Sequence, residues 1–243
     1  MKIDVMGVQF DNVTMEEAVA QARGILDGGA AHYCVTPNPE IVYEAMHDSS
    51  FCRLLNGAAL VLPDGVGVLL GAKILGTPLR ARVSGVDFAA ALLPVLAAAG
   101  KRLYLLGAKP GVAELAAEKM RAANPGLCIC GTADGYFQDE GPVVQAVREA
   151  EADVVFVCLG SPKQEKFMAA HLDELGASLL MGLGGSLDAF AGTVKRAPAW
   201  VSRIGMEWFY RLVKEPRRFK RMLRLPKFVF AVVGRRLGGG RHG

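Results

Sequence analysis

The sequence predicts an α/β fold: a Rossmann-like parallel-sheet body with helices on both faces, followed by a helical, basic C-terminal appendage. Three observations predict it. Short runs that are apolar throughout alternate with amphipathic helical stretches, the pattern of parallel strands covered on both sides. Helix-start signals stand just after several of those runs. Of 243 residues, 51% are hydrophobic, enough for the core of one domain with an appendage.

The elements follow in order. Val8–Phe10 belongs to a short strand pair, and Thr14 with Glu17 has the spacing of a capping box for a helix to about Asp27. His32–Val35 is a strand, and Asn38 before Pro39 opens the next helix. The apolar run Leu60–Leu62 comes next, and Ser84 with Asp87 starts a helix ending near Gly100. Leu103–Leu106, a helix over 111–123, a strand over 127–131 and a helix over 140–150 repeat the pattern. Val154–Leu159, a helix over about 163–175 and Ser178–Met181 complete it. The body ends near Gly192, giving a catalytic body over 1–194 and an appendage over 195–243.

The appendage differs sharply in charge. The formal net charge is +4, yet residues from Lys195 onward carry +12 and residues 1–194 carry −8. Pro198, Pro216 and Pro226 divide the appendage into short helical pieces in which Trp200, Trp208, Phe219 and others interleave with arginines. Arg211, Lys214, Arg218 and Arg221 fall on one helical face. That suits an interfacial helix on an anionic membrane, and equally a helix packed on the body with a solvated basic side. A basic segment of this kind also suits nucleic acid.

Several classes are excluded. The apolar content argues against disorder. Apolar stretches such as Phe88–Ala99 fall short of a membrane span, and MKIDVMGVQFDN is not a signal peptide. Five cysteines without a C-x-x-C pair read as small buried residues of a reduced, cytoplasmic protein.

In open α/β sheets, ligands bind beyond the carboxyl ends of the strands. Five loops there carry unusual residues: Thr36–Glu40, Pro63–Gly67, Gly107–Gly111, Gly160–Glu165 and Gly182–Ser186. Glycines 65, 107, 160, 184 and 185 would let backbone N–H groups and helix N-termini approach an anion, which points to a nucleotide diphosphate. Neither G-x-G-x-x-G after the first strand nor a P-loop is present, which counts against NAD enzymes and P-loop NTPases. A dehydrogenase using Gly182–Gly185 as a degenerate site stays as a rival, as does a nucleotide-binding module whose tail grips nucleic acid. The histidines form no triad, and no serine lies in a G-x-S-x-G elbow.

Asp64 closes a buried strand, where poor solvation raises a carboxylate's pKa and makes it a better base. Its rival role is to cap the following helix. Arg82 could clamp a phosphate, or pair with a surface acid. There is no D-x-D and no pair of acids flanking a strand end to hold Mg²⁺ or Mn²⁺. The charge of a departing diphosphate would then fall to arginine, lysine and helix N-termini.

Thr36-Pro37-Asn38, Pro63-Asp64-Gly65-Val66-Gly67, Arg82-Val83-Ser84-Gly85-Val86-Asp87, Gly160-Ser161-Pro162-Lys163-Gln164-Glu165 and the run Gly182–Pro198 resemble the WecG/TagA/CpsF glycosyltransferases. So do Glu207–Leu212 and Glu215–Arg218, so that the likeness spans about residues 3–225. The resemblance implies an inverting, metal-independent transferase without a cofactor. It moves N-acetylmannosamine from a UDP-sugar to polyprenyl-diphosphate-linked N-acetylglucosamine, for teichoic acid or other surface polysaccharides. It implies Asp64 as base, with Thr36, Asn38, Arg82 and Gln164 in the sugar and phosphate site. It also implies an appendage bringing Arg211, Arg218 and Arg221 over the site and onto the inner face of the membrane. A peripheral protein of this kind needs no nucleic acid, and a homo-oligomer is compatible with it. Lys227–Phe230 and the Gly-rich end carry no family motif and are assigned no role.

Overall fold

The computed structural model describes residues 1–194, 210 and 223–238. β1 (Lys2–Val5) and β2 (Val8–Asp11) form an antiparallel hairpin. α1 (Met15–Gly28) starts with the expected capping box: the Thr14 hydroxyl accepts from the Glu17 N–H at 3.3 Å, and the Glu17 carboxylate accepts from the Thr14 N–H at 3.0 Å.

The main sheet has six strands: β3 (His32–Val35), β4 (Leu60–Val61), β5 (Arg102–Gly107), β6 (Cys128–Ala133), β7 (Val154–Cys158) and β8 (Leu179–Gly182). Their order is β4-β3-β8-β7-β5-β6, and every pairing is parallel. β7 and β8 are buried along their whole length, so one apolar cluster lies on each face of the sheet. This is the predicted Rossmann-like α/β body. β5 leads outward to edge strand β6, whereas β7 leads the other way to β8. The topological switch point therefore lies between β5 and β7.

Around the sheet stand α2 (Pro39–Ala45), α3 (Ser49–Asn56), α4 (Val66–Leu75), α5 (Gly85–Ala98), α6 (Val112–Ala123), α7 (Gly141–Glu149), α8 (Lys163–Ala170) and α9 (Ser186–Ala191). α3 and α9 go beyond the sequence reading, and α4 is the helix for which the sequence offers Asp64 as a cap. α8 ends five residues sooner than expected, because His171 leaves the helix with its ring between Glu140 and Glu174, at 2.8 and 2.9 Å. The cysteines also need correcting. Cys34 and Cys158 are buried, with burial pushing the Cys158 thiol up to about 12, but Cys128 is exposed at the start of edge strand β6.

The last element, α10 (Arg224–Gly238), packs on α2 and α4. Phe228 and Val232 are fully buried there, and Phe228 lies against Gly71, where a β-carbon would sit 2.9 Å from its ring. Burying one such phenylalanine is worth roughly 1.5–3 kcal/mol. Arg224 pairs with Glu44 of α2 at 2.7 Å, and Pro226 sits in the first turn, where no N–H is needed. Lys227–Phe230, to which the sequence assigns no role, thus includes the residue, Phe228, that seats α10 on the body. Among the described residues no helix is long and apolar enough to cross a membrane.

Candidate active site

The carboxyl ends of β3, β4, β7 and β8 bring the expected loops together. Asn38 is the N-cap of α2: its side-chain carbonyl accepts from the Ile41 N–H at 3.0 Å. Among the described residues its NH₂ has no hydrogen-bond partner, so this end of the amide remains for a ligand. The Thr36 hydroxyl donates to the Gly182 carbonyl at 3.2 Å, tying the end of β3 to that of β8.

Asp64 is held by its backbone, whose N–H donates to the Pro37 carbonyl at 3.2 Å. It does not cap α4. The cap is Gly65, at φ +91°, a conformation that excludes ordinary side chains, and no side chain caps that helix. The carboxylate is also less secluded than a position after a buried strand implies, being 32% exposed. Its Oδ1 faces Arg82 Nε at 3.9 Å. The loop carrying Arg82 is fixed there by the Val83 N–H donating to the Pro63 carbonyl at 3.0 Å.

The two neighbouring arginines divide the readings offered for Arg82. Arg80 forms the surface pair, with Glu17 at 2.8 Å, while Arg82 turns toward Asp64. A partly exposed pair such as Arg82–Asp64 adds less than about 1 kcal/mol to stability. Its placement at the strand ends therefore asks for another explanation.

The helix starts supply one. α1, α2, α3 and α5 are capped by the side chains of Thr14, Asn38, Asp48 and Ser84. α4, α6, α7, α8 and α9, which follow β4, β5, β6, β7 and β8, have no side-chain cap. Their first-turn N–H groups and positive dipole ends suit an anion. Gly107 makes the closest approach: a β-carbon there would strike the Cys158 backbone. Gly160 and Gly184 take positive φ of 77° and 56°, whereas Gly185 does not.

Gln164 lies beneath this rim at 3% exposure. Its side-chain carbonyl accepts from the Gly184 N–H at 2.8 Å, and its NH₂ donates to Glu165 Oε1 at 3.0 Å. Arg211, Arg218 and Arg221 lie outside the described residues. Among the described residues no three His, Cys, Asp or Glu side chains gather as a metal-ligand set.

Residues 3–242 match the family model of the glycosyl transferase WecG/TagA/CpsF family. The chain belongs to that family. A Bacillus subtilis relative named N-acetylglucosaminyldiphosphoundecaprenol N-acetyl-beta-D-mannosaminyltransferase is 40% identical, over 82% of this chain and 77% of its own length. A Staphylococcus aureus protein of the same name is 31% identical, over 96% of this chain and 92% of its own. This WecG/TagA/CpsF member is a glycosyltransferase.

Glu165 escaped the sequence reading as a site residue. It is 1% exposed, and burial raises its pKa above the usual carboxylate range. Its sequence signal was weak, since a glutamate beside two lysines in the first turn of a helix reads as a solvated surface residue.

Proposed function

We propose that this chain transfers N-acetylmannosamine from a UDP-sugar to polyprenyl-diphosphate-linked N-acetylglucosamine, with inversion and without a metal, in the synthesis of teichoic acid or another surface polysaccharide. The observation that carries the reading is the Asp64–Arg82 pair, 3.9 Å apart at the strand ends, beside helix starts with no side-chain cap. The names of the relatives support the choice of sugar and acceptor.

The reaction is a single displacement. Asp64 takes the proton of an acceptor hydroxyl, and that oxygen bonds to the anomeric carbon from the face opposite UDP. The bond from that carbon to the β-phosphate oxygen breaks, and UDP leaves with the electron pair. Arg82 and the uncapped N–H groups stabilise the charge that develops on the β-phosphate. Thr36, Asn38 and Gln164 position the donor, Asn38 through its NH₂ and the other two through the Gly182–Gly184 turn.

In this reading residues 1–194 carry the chemistry and residues 195–243 meet the acceptor's diphosphate and the inner membrane face. α10 supports a lipid partner over nucleic acid, because Phe230 and Leu237 are 76% and 73% exposed on the helix that also carries Arg235 and Arg236. Each basic residue near an anionic surface adds about 1 kcal/mol, so Arg211, Arg218 and Arg221 together suffice for reversible docking.

The test is incubation with synthetic lipid-diphosphate-N-acetylglucosamine and a panel of UDP-sugars, with and without a chelator, read by mass spectrometry. The expected product gains one N-acetylhexosamine from UDP-N-acetylmannosamine in both conditions. No product from that donor, or a product lost on chelation, would count against the reading.

A further inference from the structure

Glu165 occupies the third position of α8, where a glutamate normally turns back to the cap backbone. It cannot do so here, because the cap residue is Pro162, which has no N–H. Its Oε1 accepts from the Gln164 NH₂ at 3.0 Å, while its buried Oε2 makes no close hydrogen bond, and the buried Ser161 hydroxyl is the polar neighbour that partly offsets the cost of its burial. The neighbouring groups bring it no cation. Arg224 of α10 is taken by Glu44 of α2, whose negative charge also bears on Glu165. On α8 itself, Lys163 donates to the Gly135 carbonyl and covers the Phe137 ring, while Lys166 faces Asp48, the cap of α3. A buried carboxylate without a counter-charge is costly, and burial shifts the group toward its protonated form.

What this carboxyl touches is informative. An amide side chain can flip, and two partners at opposite ends are needed to fix it. Gln164 has them: the Glu165 carboxyl oxygen accepts from its NH₂, and its own oxygen accepts from the Gly184 N–H. The same turn receives the Thr36 hydroxyl at the Gly182 carbonyl. A relay thus runs from Glu165 through Gln164 to the β8 turn and Thr36.

We propose that Glu165 is a positioning residue that fixes the Gln164 amide and through it the Gly182–Gly184 turn against the sugar donor. The role rests on the reading that this turn lies at the donor site. Glu165 touches no reacting atom.

The test uses full-length protein carrying Glu165→Gln or Glu165→Met. Glutamine keeps a neutral acceptor at Oε1 and is expected to leave turnover and donor KM within about twofold of the parent, a fraction of one hydrogen bond. Methionine fills the volume without an acceptor. It is expected to raise donor KM about tenfold with kcat little changed, the loss of about one hydrogen bond. Thermal stability of the methionine variant is expected to change little, since burial of the acid ends while the Gln164 NH₂ loses its acceptor. Exchange of the Gly184 amide proton, followed by NMR, should quicken in the methionine variant only. That measurement needs no substrate, so it separates failure of the relay from failure of the donor assignment. Unchanged Gly184 exchange in the methionine variant, or equal damage from both substitutions, would overturn the proposal. If the methionine variant does not fold, the glutamine variant still decides: exchange and KM like the parent's support a role carried by the Oε1 acceptor, and loss of either contradicts it.

Discussion

The two sides of the strand-end site handle polar groups in opposite ways. On the β4 side Asp64 and Arg82 stand 3.9 Å apart with 32% and 21% of their side chains exposed, on loops fixed by backbone hydrogen bonds. On the β8 side Gln164 and Glu165 are 3% and 1% exposed, and Gln164 is engaged at both ends by the protein itself. Charges that must meet a substrate stay within reach of water and ligand. Polar groups that set a backbone turn are taken out of water and satisfied internally. Under the proposed mechanism, burial separates groups that react from groups that hold, even when both lie in family motifs.

Substitutions can break that contrast, beginning with the largest effect. Asp64→Asn keeps shape and removes the base, so transfer should fall by about 10²–10⁴ while UDP affinity stays within about twofold. Single-turnover transfer and calorimetric titration with UDP check this. Arg82→Met removes the cation facing the leaving group and should cost about 10²–10³ in kcat, with weaker UDP binding and little change in melting temperature. A large loss of stability would assign Arg82 to the scaffold. Gln164→Leu removes the bond to the Gly184 N–H and should act mainly on donor KM, by about tenfold, in steady-state assays.

The smallest effect lies away from the site. Burial works against the charged form of His171, but the hydrogen bonds it donates to Glu140 and Glu174 outweigh it and raise the pKa above the ordinary 6.5. A raised histidine value means that the stabilisation is complete below the unfolded value and is lost as pH climbs through the folded one. His171→Gln should therefore be less stable than the parent at pH 6, by under about 1 kcal/mol, since both glutamates are substantially exposed. The difference should close by about pH 9. Thermal melts at both pH values read it, and an equal deficit at both would remove the charge explanation.

The sequence made the sheet and most of its helices legible because their signals are local. Thr14 with Glu17 and Asn38 before Pro39 are cap signals carried by residues close together in sequence, and both caps are formed. α4 was harder for a physical reason. It is apolar on nearly all sides, lying between the β1–β2 hairpin and α10, and it starts at Gly65 without a side-chain cap, so neither periodicity nor a formed cap marks it. α3 did carry a signal, Asp48 accepting from the Ser50 and Phe51 N–H groups, that went unread.

The site divides similarly. The glycine-lined loops and Asp64 could be found because strand ends are where ligands bind, while the cap reading of Asp64 could not be set aside until Gly65 proved to be the cap. Glu165 was hidden, because its burial depends on the packing of α8 against the sheet and not on its neighbours in sequence. The docking of Phe228 on Gly71 was hidden for the same reason, since the two residues are far apart in the chain.

The central claim, that one side of the site reacts and the other holds, is tested most directly by measuring kcat and donor KM for Asp64→Asn and Gln164→Leu side by side. The account predicts a crossed result: Asp64→Asn loses kcat with UDP affinity retained, and Gln164→Leu raises donor KM with kcat largely retained. Loss of the same parameter by both variants would contradict it.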